Sequence, residues 1–180
     1  MLLAEDKLRY ERTWPAVGFS SLKEVFAGLP LQPRFVERTL RRSIEDVYNH
    51  VADLSLHPGF LPPDQIREWR VQTEPPWGHG TVVKFEARWA ARDWASYRAV
   101  CISDVPLRMI ALKLIEAPFE HTWAYTFAGK EGICTVRLYG GFDLKRRAQW
   151  LHFLAWRSRI RRLHTRTLEN LKRWAEPHGA

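Results

Sequence analysis

Between residues 65 and 143 the chain is a succession of period-two runs at hairpin spacing, too closely set for crossover helices to fit between them. The clearest has Val83, Phe85, Ala87 and Trp89 alternating with Lys84, Glu86 and Arg88, which turns one face to a core and the other to water. Further runs at residues 65–74, 94–103, 108–116, 121–127 and 133–143 read as strands, with Asp104-Val105-Pro106 and Ala128-Gly129-Lys130 as turns. Residues 34–42 are also β-compatible. The pattern predicts one antiparallel sheet of about six or seven strands.

Such a sheet must bury its apolar face, and two helices are available to cover it. Ser43, with Asp46 three residues on, opens an amphipathic helix over residues 44–54 that carries Val47, Tyr48, Val51 and Leu54 at helical spacing. The stretch His57-Pro58-Gly59-Phe60-Leu61-Pro62-Pro63 can only be a turn or a single helical turn. The last element begins near Lys145 and runs to about Glu176 without Gly or Pro. On it Trp150, Phe153, Ile160, Leu163, Thr167, Leu171 and Trp174 fall on one stripe, with Arg159, Arg162, Arg166 and Arg173 opposite. Leu151, Leu154 and Ala155 lie on the arginine side, so residues 150–156 are apolar almost all round and need a further cover. Residues 1–33 form an appendage in which Ser21-Leu22-Lys23-Glu24 opens a short helix, and residues 34–180 form one α+β domain. The appendage is one candidate cover.

The formal charge is +8, yet residues 145–173 hold ten basic residues against Glu169 alone, and the rest of the chain is close to neutral. The stripe of Arg159, Arg162 and Arg166 reads as a solvated face or as a surface for anionic membrane, with nucleic acid ranking behind both. No apolar run is long enough to span a bilayer, and Glu5 and Asp6 stand where a signal peptide needs apolar residues, so the expected location is cytoplasmic. Cys101 and Cys134 are too few for a disulfide framework or a thiolate metal site, and read as buried, inert thiols. His50 and His57 are seven apart across a helix end, and His152 and His164 are not an i, i+4 pair, so no metal is expected. There is no G-x-S-x-G elbow and no Gly-rich phosphate loop, and Gly78-His79-Gly80 reads as a turn. No cofactor is expected.

Three stretches carry a family resemblance. Arg34-Phe35-Val36-Glu37-Arg38-Thr39 followed by Ser43-Ile44-Glu45-Asp46-Val47-Tyr48 resembles the opening strand and helix of the START-like, or SRPBCC, superfamily. Asp104-Val105-Pro106-Leu107-Arg108 is similar to its D-x-P-x-R hairpin, and Ala117-Pro118-Phe119-Glu120-His121-Thr122-Trp123 to the G-P-F-x-x-x-W that begins the next strand. The superfamily includes polyketide cyclases, coenzyme-Q-binding proteins and lipid-transfer domains. The resemblance spans about residues 34–176 and implies a helix-grip fold, in which a curved antiparallel sheet wraps the long C-terminal helix and a pocket for an apolar ligand opens between them. The chain departs from many relatives at His57-Pro58-Gly59-Phe60, where they place a Trp after the first helix.

Alternation nominates Phe85, Ala87, Trp89, Leu112, Leu114, Trp123, Tyr125 and Phe127 as inward residues of the sheet, with Trp150, Phe153 and Ile160 from the helix. Arg38 alternates with Val36 and Leu40 and would serve as a polar anchor, pairing with Glu86, Glu116 or a ligand carboxylate. His121 shares a face with Trp123, while only one of the neighbours Tyr97 and Arg98 can face inward. An inward His beside Tyr or Arg would suit enolate chemistry, with imidazole moving the proton and phenol or guanidinium holding the oxyanion. A His at a strand start is more often exposed or bonded to backbone. The first expectation is therefore a protein that sequesters or carries a hydrophobic small molecule, and the second a cyclase or dehydratase using His121, Tyr97 or Arg98. A third is an interaction protein that uses its basic helix.

Overall fold

The computed structural model describes residues 18–29, 33–88, 93–115, 120–143 and 149–176, with the side chains at 143 and 149–157 left outside the description. Its strands are β1 (Arg34–Leu40), β2 (Ile66–Val71), β3 (Val82–Ala87), β4 (Ala95–Val105), β5 (Met109–Ile115), β6 (Glu120–Lys130) and β7 (Ile133–Asp143). They form one antiparallel sheet in the order β1-β7-β6-β5-β4-β3-β2, so every neighbour except β1 is joined to the next by a direct connection. Bulges between Arg67 and Arg70 and between Cys101 and Ser103 help to curve it.

Among the described residues three helices meet the sheet: α1 (Leu22–Val25), α2 (Ile44–Ala52) and α3 (Gln149–Ala175). The Ser43 hydroxyl caps α2 by accepting from the Asp46 amide at 3.1 Å, and the helix buries Val47, Tyr48 and Val51. A 3₁₀ turn over Leu54–Gly59 follows, opened by Asp53, whose carboxylate accepts from the Ser55 amide. On α3, Ile160, Leu163, Leu168 and Leu171 are buried against the inner face of the sheet. Each fully buried leucine there contributes about 1.5–3 kcal/mol. Residues 145–148, expected at the start of this helix, lie outside the described residues.

Two strand ends correct the sequence reading. Asp104 and Val105 belong to β4, and Ala128-Gly129-Lys130 belongs to β6. Gly129 is needed for a close approach rather than a turn, because a Cβ there would stand 2.3 Å from the Ile133 carbonyl oxygen. The β6–β7 turn is the two-residue Glu131-Gly132, with φ of 53° and 79°, both in the left-handed region that a tight hairpin requires. Glu131 pays a steric penalty that Asn tolerates better. Glu131→Asn is expected to raise stability by about 0.5 kcal/mol, measured as an upward shift of the urea midpoint at unchanged slope.

The expectation of one wet face is also corrected. β5 reads Met-Ile-Ala-Leu-Lys-Leu-Ile and is buried on both sides apart from Lys113. Val82, Val100, Ile102, Met109, Ala111 and Ala124 form a second, outer core under Val25 and Phe26, with Phe19, Leu22 and Leu29 packed beside it. The Phe19 amide donates to the Ile102 carbonyl at 3.1 Å, and the Ser103 hydroxyl donates to the Phe19 carbonyl. Residues 18–29 thus cover the sheet on the side away from α3. The side chains of Leu151, Leu154 and Ala155, for which a cover was sought, lie outside the described residues.

Candidate functional site

A cavity lies between the inner sheet face and α3. The 3₁₀ turn and the residues after it contribute His57 and Leu61, β2 contributes Ile66 and Trp69, and β3 contributes Phe85. β6 supplies His121, Trp123 and Tyr125, β7 supplies Leu138, and α3 supplies Leu163, His164 and Thr167. Two side-chain hydrogen bonds fix the wall around His57: Trp69 Nε1 donates to the Leu54 carbonyl at 2.7 Å, and Asn170 Nδ2 donates to the Phe60 carbonyl at 3.1 Å. The space open to the centre of a water molecule is about 20 Å³, enough for a single water and not for an organic ligand.

Rings line this space in two groups. His57 stacks on Trp69 at 5.1 Å between centroids and meets Tyr125 edge-on at 6.1 Å, while Trp69 stacks on Phe85 at 5.1 Å. His121 lies between Trp123 at 5.4 Å and Phe142 at 4.6 Å, with His164 stacked 5.9 Å away. Gly140 makes room for the second group, since a Cβ there would stand 2.7 Å from His164 Cε1 and 3.4 Å from His121 Nε2.

Burial governs the charge of these groups. It lowers His57 to about 4 and His164 to about 3, and it holds His121 well below its ordinary value of 6.5, with His164 adding a smaller effect. All three rings are neutral at pH 7. Burial raises the Tyr125 phenol. It also pushes Cys101 up to about 12, with Asp104 adding to the shift, and Cys134 up to about 11, so both thiols stay protonated and unreactive.

The sequence candidates divide. His121, Phe85, Trp123 and Tyr125 come together on the cavity. Contrary to the expectation for a strand start, His121 is 1% exposed. Ala87, Leu112, Leu114 and Phe127 belong to the inner core but not to the cavity wall. Tyr97 also faces the inner core, 6.1 Å from Phe85, whereas Arg98 alternates onto the other face with Val100 and Ile102. Arg38 does not reach the cavity or Glu86: its guanidinium donates to Glu169 of α3 at 3.1 Å at the edge of the sheet, and Glu86 is held by Arg67. Trp89 and the side chains of Trp150 and Phe153 lie outside the described residues, as does Glu116. Arg159 and Arg162 are exposed, while Arg166 pairs with Asp64 at 2.6 Å.

Sequence reasoning missed His57, His164 and Trp69 as lining residues. A signal for His164 existed: it lies four residues after Ile160 and four before Leu168, on the buried stripe of α3. Among the described residues no group of three or more His, Cys, Asp or Glu side chains is placed to hold a metal, and no helix is long and apolar enough to cross a membrane.

No protein-family model matches the chain, and no curated protein matches it. Solved structures do. KanY aligns with a TM-score of 0.64 at 17% identity over 81% of this chain and 97% of its own. The di-domain ARO/CYC protein StfQ from the steffimycin biosynthetic pathway aligns with a TM-score of 0.66 at 15% identity over 81% of this chain, which spans 50% of StfQ. Ara h 8.0201 aligns with a TM-score of 0.63 at 10% identity, over 82% of this chain and 99% of its own. The chain has the helix-grip fold that these structures share. In the helix-grip arrangement α3 is the gripped helix, and the cavity sits in the grip, bounded by β2, β3, β6 and β7.

Proposed function

We propose that the chain binds a hydrophobic small molecule that also carries polar groups, between the sheet and α3. The observation that carries this reading is the set of buried polar side chains, His57, His121, His164, Tyr125 and Thr167, on a wall that is otherwise aromatic and aliphatic. A buried polar group left without its hydrogen bond costs about 1–3 kcal/mol, so a core built for stability alone gains from apolar residues at these positions. A few polar groups set in an apolar wall fix the orientation of a ligand whose affinity comes from buried area, at about 25 cal/mol per Å². StfQ, an ARO/CYC protein with the same fold, supports a ligand of this class. Loading requires the lining rings to part, because the closed cavity takes only a water.

A second reading, catalysis of the cyclase or dehydratase type, is favoured by His121 and Tyr125 meeting on one cavity. Its weakness is the charge state. A general base works best with a pKa near the working pH, and burial holds His121 well below its ordinary value, which leaves it a weak base at pH 7. Sequestration therefore comes first. Native mass spectrometry of gently purified protein is expected to show a discrete small-molecule adduct, and titration with 2-naphthol is expected to change tryptophan fluorescence through Trp69 and Trp123. A clean unliganded mass together with fluorescence unmoved by 2-naphthol would remove the binding reading.

A further inference from the structure

His57 stands where the chain passes from α2 toward β2, and its ring is fully buried. Its Nε2 lies 2.8 Å from the Val51 carbonyl oxygen. A carbonyl oxygen can only accept, so Nε2 carries the proton and donates. In a neutral imidazole the other nitrogen then has a lone pair and no hydrogen. That nitrogen, Nδ1, is buried with no hydrogen-bond partner among the described residues. The backbone contact at one end of the ring thus dictates the chemistry at the other. Thr167 Oγ1, from α3, lines the same cavity and is likewise buried without a partner. A hydroxyl adapts as donor or acceptor, but the tautomer leaves His57 Nδ1 only one role.

We propose that the cavity selects ligands bearing a hydroxyl, the phenol or enol of a planar aromatic molecule, which donates its hydrogen bond to His57 Nδ1. The selection rests on the cavity being a ligand site, as argued above. His57, Trp69 and Phe85 give the cavity an aromatic wall against which a planar ring system can pack. An ether of the same shape brings a second acceptor against the buried lone pair and leaves both unpaired. Discrimination of about tenfold or more against the ether follows from that loss.

The test compares 2-naphthol with 2-methoxynaphthalene, which keeps the ring and removes the donor. Both are titrated by calorimetry into the full chain and into His57→Phe, which retains a ring against Trp69 and Phe60. The wild-type protein is expected to bind 2-naphthol at least about tenfold more tightly. His57→Phe is expected to lose the preference by weakening 2-naphthol alone. Equal affinities in the wild type, or a preference that survives in His57→Phe, overturn the hydroxyl rule and leave the binding site standing. Binding of neither probe to the wild type overturns the site and the rule together. Should His57→Phe fail to fold, long-range ¹H–¹⁵N correlation on the wild type decides. The Nε2-protonated tautomer at pH 7, with the Nδ1 resonance moving on addition of 2-naphthol, is the expected result, and the opposite tautomer or an unmoved Nδ1 overturns the proposal.

Discussion

Taking the protein from pH 7 to pH 4 is expected to unfold it cooperatively, with uptake of about three protons per chain. The cause is the burial of His57, His121 and His164, which depresses all three below their ordinary value of 6.5 in the folded state. About one unit or more above pH 6.5 the rings are neutral in both states and add no slope. Below it the unfolded chain takes up protons that the folded chain refuses, so stability is lost as pH falls. Each ring removes up to about 1.4 kcal/mol per pH unit. Together they remove up to about 4 kcal/mol per unit near pH 5, and less toward pH 4, where folded His57 itself takes up its proton, against a total stability of about 5–15 kcal/mol. Urea denaturation at a series of pH values measures the slope directly. His164→Leu should flatten it by about a third. A midpoint that stays constant from pH 7 to 4.5 would show that the rings meet water or a counter-charge in the native state.

Gly140→Ala is expected to destabilise the protein by about 1–3 kcal/mol, and Gly140→Val by more. The added Cβ would come within 2.7 Å of His164 Cε1. His164 cannot swing aside cheaply, because its ring stacks on His121, which is itself held between Trp123 and Phe142. In a chain of this size the loss corresponds to roughly 2–12 °C in Tm. The clash has a specific remedy: in the double variant Gly140→Ala with His164→Ala, the combined loss should fall short of the sum of the single losses by at least about 0.5 kcal/mol. Additive losses would mean that Gly140 serves the backbone and not the imidazole.

Local pattern carried the architecture. Alternation in residues 83–87 and the Ser43 cap each depend on near neighbours, and both appear in the structure where the sequence put them. Strand ends were harder, since Asp104-Val105-Pro106 and Ala128-Gly129-Lys130 carry turn residues that the sheet absorbs. The outer core was hidden because it depends on residues 18–29 returning to the sheet, a tertiary fact with no local period. Alternation set Arg38 on the same side as Val36 and Leu40, yet period two says nothing of position along the sheet, and at the edge a long side chain reaches Glu169 instead of the interior. His57 sits in a 3₁₀ turn beside a Pro, where neither helical nor strand periodicity defines a face. Its meeting with His121 and His164 joins three separate elements.

Gly140 and Gly141 stand side by side on β7, and they answer to different layers. A Cβ at 140 would strike His164, while one at 141 would stand 2.5 Å from Leu29 Cδ1 and 2.7 Å from Phe26 Cδ1. At this place the partition between the inner cavity layer and the N-terminal covering is a bare peptide, with no side chain to cushion either side. Adjacent positions in the chain therefore serve as independent probes, one reporting on the chamber and the other on its outer jacket.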